Sequence, residues 1–261
     1  SNRLSSGTRK PRWCNRPGNT RTRVKVERPM HTLSGLEVSV PEHEVLRLQG
    51  YKKGQEPREA VARILQEQIE DGLRLAEPRA TYMEVRVSEV SEGGALSLED
   101  GTVLDMEHGS RVWKGLEHLA ISVCTIGPAL ENRVAELFAQ NEFAPALMLD
   151  SVGSVAVESV ADQVNHILCR QATERNLKSG PRLSPGYGRW PLGDQQVLFG
   201  LLPGENIGVG LTERCMMVPR KSISFCIGLG ENMARAGKSD SCRYCTLEHC
   251  RYRRTRDKVA S

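Results

Sequence analysis

This chain predicts an α+β fold, on three observations. Residues 81–90 alternate with period two, as a half-buried strand does. Residues 57–75, and a longer stretch from Pro145 to about 174, repeat apolar residues at i, i+3/i+4, the spacing of amphipathic helices. Strands and helices mix without regular strand–helix–strand repetition, which argues against a doubly wound parallel sheet. The sequence contains no internal repeat.

The elements follow in order from Leu33. Leu36, Val38 and Val40 alternate with polar residues, and 44–48 leads to Gly50 and Tyr51. Pro57 suits a first helical turn, and Val61, Ile64, Leu65, Ile69 and Leu73 form that helix's apolar face. In 81–90, Met83, Val85 and Val87 share one face, and Glu84, Arg86 and Ser88 the other. Residues 95–104 hold two short strand-like runs around Asp100 and Gly101, a hairpin signal. The β-favouring run 119–126 ends at Gly127 and Pro128 and reads as a central strand. A helix is predicted over 129–140. In the long helix, Leu149, Val152, Ala156, Val160, Val164 and Ile167 form the apolar stripe, with Glu158, Asp162 and Asn165 opposite. Residues 179–191 read as a Gly/Pro-rich loop, 193–202 as a short helix, and 206–214 and 222–228 as strands.

Of the 261 residues, 39% are hydrophobic and 26% charged, an ordinary globular mixture. No stretch approaches the roughly 20 apolar residues of a membrane span, and no apolar signal core stands near the N-terminus. The expectation is a cytoplasmic protein without a membrane partner. The net charge of +4 is unevenly spread: residues 1–30 stand at +8, residues 242–258 at +4, and the body between them at −8. An acidic body argues against a nucleic-acid-binding surface. Residues 1–29 have no apolar periodicity. They read as a basic arm, as a transit-like peptide, or as sequence upstream of a native start at Met30.

Eight cysteines are too few for a disulfide framework in a chain this long. Cys14, Cys124, Cys169, Cys215 and Cys226 are scattered, whereas Cys242, Cys245 and Cys250 lie within nine residues. Thiolates at that spacing can wrap one metal, and the neighbouring arginines lower thiol pKa. His249 or Cys226 would be a fourth ligand for zinc, or an iron–sulfur cluster would keep an open position. A tail with incidental thiols is the plain alternative.

Two segments carry candidate binding chemistry. In Arg182-Leu183-Ser184-Pro185-Gly186-Tyr187-Gly188, Pro185 fixes φ and Gly186 permits positive φ, so the backbone turns sharply. Arg182 offers a planar fork for a carboxylate, and Tyr187 a ring and a hydroxyl. An ordinary surface turn has the same pattern. The second segment runs Leu211-Thr212-Glu213, then Met216-Met217-x-Pro219, then Lys221-Ser222-Ile223-Ser224.

Read in order, these two segments resemble the activation domain of cobalamin-dependent methionine synthase. Leu149-Asp150-Ser151-Val152-Gly153, with Glu158 in the same helix, and Cys124-Thr125-Ile126-Gly127 are similar to stand-alone members of that family. The resemblance spans roughly residues 44–235. It implies a mainly antiparallel sheet with packed helices, an S-adenosylmethionine site, and a role in restoring methylcobalamin from the oxidised cob(II) state. Position by position, Arg182 matches the arginine that meets the ligand's carboxylate, and Glu158 a glutamate near its amino-acid end. Ser184 and Gly186 fall in the backbone-contact loop, and Tyr187 matches the loop tyrosine. No counterpart of the family's early aspartate stands between 33 and 55, and Phe225-Cys226-Ile227-Gly228 replaces a segment with a tyrosine.

The chain matches none of the large enzyme's catalytic or cobalamin-binding modules. The resemblance therefore implies a partner in trans, a cobalamin-binding protein or corrinoid methyltransferase, and an electron-donor protein. A redox cluster in the tail would suit the electron step. The implied division is a disordered basic segment at 1–30, the activation-like domain at 31–238, and a Cys/Arg-rich tail at 239–261. Two rivals remain: a zinc or iron–sulfur nucleic-acid module using the basic termini, and an independent S-adenosylmethionine enzyme, for which no nucleophile–base pair is visible.

Overall fold

The apolar run that predicts a central strand is buried on both faces, and the sheet is organised around it. The computed structural model describes residues 28–106, 112–187 and 190–234. Cys14, Gly188, Cys242, Cys245, His249 and Cys250 lie outside those residues. The order is β1 (Met30–Leu33), α1 (Glu42–Leu48), α2 (Glu59–Leu75), β2 (Arg79–Val90), β3 (Leu96–Leu98), β4 (Val103–Leu104), β5 (His118–Thr125), α3 (Ala129–Ala139) and α4 (Phe143–Glu174). Then come β6 (Lys178–Leu183), α5 (Asp194–Leu201), a 3-10 turn (Gly204–Ile207), β7 (Gly210–Leu211), β8 (Met217–Val218) and β9 (Ser222–Gly230).

The main sheet runs β4-β3-β2-β5-β9-β6, with β1 sharing the β3 edge of β2. Every pairing is antiparallel, so the α+β expectation is met. Alternation divides the strands between two cores. Ala80, Tyr82, Ala120, Cys124, Phe225 and Ile227 face α1 to α4. Met83, Val85, Ile121, Val123, Leu183 and Cys226 face a second layer containing the β3–β4 hairpin, Trp113, Trp190 and Leu198 of α5.

Helix α4 is the backbone of the first core. Its stripe packs on the sheet, while Val152 receives Gly72 of α2 so closely that a side chain at 72 would collide with it. Among the described residues, α4 is long and apolar enough to cross a membrane by length and composition. Here it is a core helix, with Leu149, Val152, Ala156, Val160 and Val164 wholly buried against sheet and helices.

Three segments depart from expectation. Residues 178–183 form β6, not a loop: Pro181 is tolerated because β6 is an edge strand and its ladder shifts register between Ser179 and Arg182. Residues 206–214 hold the end of the 3-10 turn and the two-residue β7, joined by turns, not one strand. Residues 34–40 alternate in sequence but join no ladder. Instead, Gln163 of α4 brackets Glu37, accepting from its N–H and donating to its carbonyl, and Ser159 accepts from Ser39 N at 3.0 Å.

The fold also reaches upstream of Met30. Arg28, with 8% of its side chain exposed, donates to Asp100 at 3.2 Å in the β3–β4 turn and lies 3.5 Å from Glu99.

Candidate functional site

The one-residue shift in β6 decides where Arg182 points. Lys178 and Ser179 pair with Gly230 and Leu229; after the shift, Arg182 pairs with Ile227 and Leu183 with Cys226. Unshifted pairing would set Arg182 against Cys226, on the face of the second core. With the shift, Arg182 shares the face of Phe225 and Ile227, towards α4.

There the guanidinium meets two carboxylates one helical turn apart. Arg182 Nη2 donates to Glu158 Oε2 at 2.6 Å, and Nη1 lies 3.3 Å from Asp162 Oδ1. The guanidinium carbon sits 5.4 Å from the centroid of the Phe225 ring, within cation–π range. Burial alone would lower the Arg182 pKa. The charges of Glu158 and Asp162 reverse that and hold the group above its ordinary value. Beneath the cluster, burial pushes the Cys124 thiol up to about 12, against the pull of Arg182. So the fold brings Arg182 and Glu158 together, as ion-pair partners, and adds Asp162, which sequence reading had placed on the helix side opposite the apolar stripe.

Beyond Leu183 the chain leaves the sheet as the expected turn. Tyr187 N donates to Ser184 O at 3.1 Å, and Gly186 N donates to Trp190 O at 2.9 Å. Gly186 holds φ at +86°, where a side chain would be strained. Ser184 is half-buried, while Gly186 and Tyr187 are exposed. The anchor of this turn was not read from the sequence. Trp190 is buried in the second core, and its indole donates to Asp194 at 3.0 Å; the same carboxylate oxygen accepts from Asp105 N at 2.8 Å. An indole four residues before an acid at a helix start was the available signal.

The other motif segments also converge. Lys221 Nζ donates to Asp150 O at 2.8 Å and to Ser154 Oγ at 2.9 Å, and pairs with the Asp150 carboxylate at 2.8 Å. Ser222 Oγ lies 2.9 Å from Thr125 Oγ1, at the end of β5. Thr212 closes the β7–β8 hairpin, accepting from Met216 N at 3.0 Å, and Glu213 stays exposed.

Cys226 is corrected as a metal ligand. It is wholly buried among apolar side chains, and burial raises its thiol pKa far above the ordinary range, opposite to what a ligating thiolate needs. Among the described residues, no group of three or more His, Cys, Asp or Glu could hold a metal ion. The three tail cysteines fall outside those residues.

No protein-family model and no curated protein matches the chain. Among solved structures it is similar to the MetH reactivation domain bound to AdoHcy, with a TM-score of 0.58 and 12% identity over 80% of this chain and 81% of that one. The likeness establishes the architecture: helices packed on a curled antiparallel sheet, as in that domain.

Proposed function

We propose that this chain is an S-adenosylmethionine-binding activation protein for a cobalamin-bearing partner, a methionine synthase or related corrinoid methyltransferase. The observation that carries this reading is the meeting of Arg182 and Glu158. They lie on different elements, 24 residues apart, and are the residues the family resemblance assigns to the ligand's amino-acid end. The solved domain of like fold is described as bound to AdoHcy, the demethylated form of that ligand.

In this reading Arg182 takes the ligand's carboxylate, Glu158 its ammonium, and the 184–187 turn its nucleoside, with Tyr187 as the flat face. A partner's cobalamin, once reduced by an electron donor, would be the methyl acceptor, and the ligand's sulfonium would leave as a neutral thioether. The protein's part is positioning, because the sulfonium is already a good leaving group. Calorimetric titration with S-adenosylmethionine tests the reading. Saturable binding by the wild-type chain is expected; no heat at millimolar ligand would overturn it.

A further inference from the structure

Arg182 is approached from two directions. Glu158 and Asp162 meet the edge of its guanidinium, where the N–H groups point. Phe225 takes the face, with the guanidinium carbon 5.4 Å from the ring centroid. Strand pairing makes that contact: Arg182 stands opposite Ile227, and Phe225 lies two residues away along β9, on the same side of the sheet. Diagonal neighbours of this kind are within reach of aromatic and long side chains. Phe225 is wholly buried, so it acts on a ligand only through Arg182.

Burial works against the charge of Arg182. An aromatic face offsets part of that cost through its quadrupole and adds no formal negative charge. An acid in the same place would offset it too, but would repel an incoming carboxylate. The stacked ring uses none of the guanidinium's N–H donors, and it restricts the planar group to one orientation. We infer that Phe225 is a positioning residue for the ligand's carboxylate: it fixes the plane of Arg182, and so the direction of the donors that meet that group. The inference rests on the binding reading proposed above. A leucine or methionine at 225 would fill the space but has no π face for a cation, and would leave the plane of the guanidinium less restrained.

The test compares S-adenosylmethionine with decarboxylated S-adenosylmethionine, the same sulfonium nucleoside without the carboxylate. Calorimetry measures both ligands on the wild-type chain, Phe225→Leu and Phe225→Met. Two apolar replacements are used because the site is in the core, and circular dichroism and urea unfolding check that each variant folds. The expected result is a wild-type preference for the carboxylate-bearing ligand that narrows about fivefold in both variants. Affinity for the decarboxylated ligand should stay within about twofold of wild type, which a general loosening of the core would not allow. With S-adenosylmethionine bound by the wild type, four outcomes would overturn the inference and leave the binding reading standing: an equal loss for both ligands, no change for either, no wild-type preference to narrow, or failure of both variants to fold. No binding of S-adenosylmethionine by the wild type would bring down both.

Discussion

Arg182 has 18% of its side chain exposed, and its partners Glu158 and Asp162 have 26% and 43%. Arg182→Ala therefore leaves two carboxylates that can rehydrate, and the unliganded fold should survive. The ligand response should not. A ligand that binds only the native state stabilises it by RT ln(1 + [L]/Kd), about 2.7 kcal/mol at a hundredfold excess over Kd. Thermal melts with S-adenosylmethionine should show that rise for wild type and none for Arg182→Ala or Tyr187→Ala; a wild-type response from either variant would misplace the site. Cys124 gives a pH prediction. Its unfolded thiol ionises near 9.0, whereas burial holds the folded one to about 12. The folded state then keeps a proton the unfolded state has lost, so this stabilisation is complete below about pH 9 and is lost as pH rises towards 12. Urea unfolding at several alkaline pH values should show stability falling, with a shallower fall in Cys124→Ala.

At the scale of elements, the closest helix contact is α2 on α4. Gly72→Leu should force the two apart at Val152 and destabilise by about 1–3 kcal/mol, measured by urea unfolding. Starting the chain at Met30 should also destabilise it, by about 1–3 kcal/mol, because Asp100, with 11% of its side chain exposed, loses Arg28. Burial would raise the Asp100 pKa, but the Thr102 N–H and then Arg28 outweigh it and hold the carboxyl below its ordinary value. That stabilisation fades as pH falls through the acid range, and the deletion should flatten that dependence. The helices and long strands were legible because each carries its own period, as in 57–75 and 81–90. The Arg182–Glu158 partnership was legible through motif resemblance. β6 was not, since Pro181 reads as loop unless the strand is known to lie at an edge. In segment 34–40, Leu36, Val38 and Val40 alternate with polar residues, yet its partners, Gln163 and Ser159, lie about 120 residues away. Asp162 was missed because a helical wheel shows the side opposite the stripe without showing that β6 returns to cover it.

Across the whole molecule, one sheet separates a helical core from a smaller core that roots the 184–187 turn through Trp190. The proposed site draws on both: Arg182 and Glu158 from the helical face, the turn from the other. The residues assigned to the proposed site all precede 242, so removing 242–261 should leave S-adenosylmethionine affinity within about twofold of wild type by calorimetry. Loss of binding would make the tail part of the fold. The three ties on α4 have a mechanical consequence. Lys221 fastens the helix near its start, Arg182 at mid-length, and Arg175, just past its end, grips Glu84 of β2. To tilt or slide, the helix must give up at least one of these pairs, so they add to its buried stripe in fixing its place on the sheet.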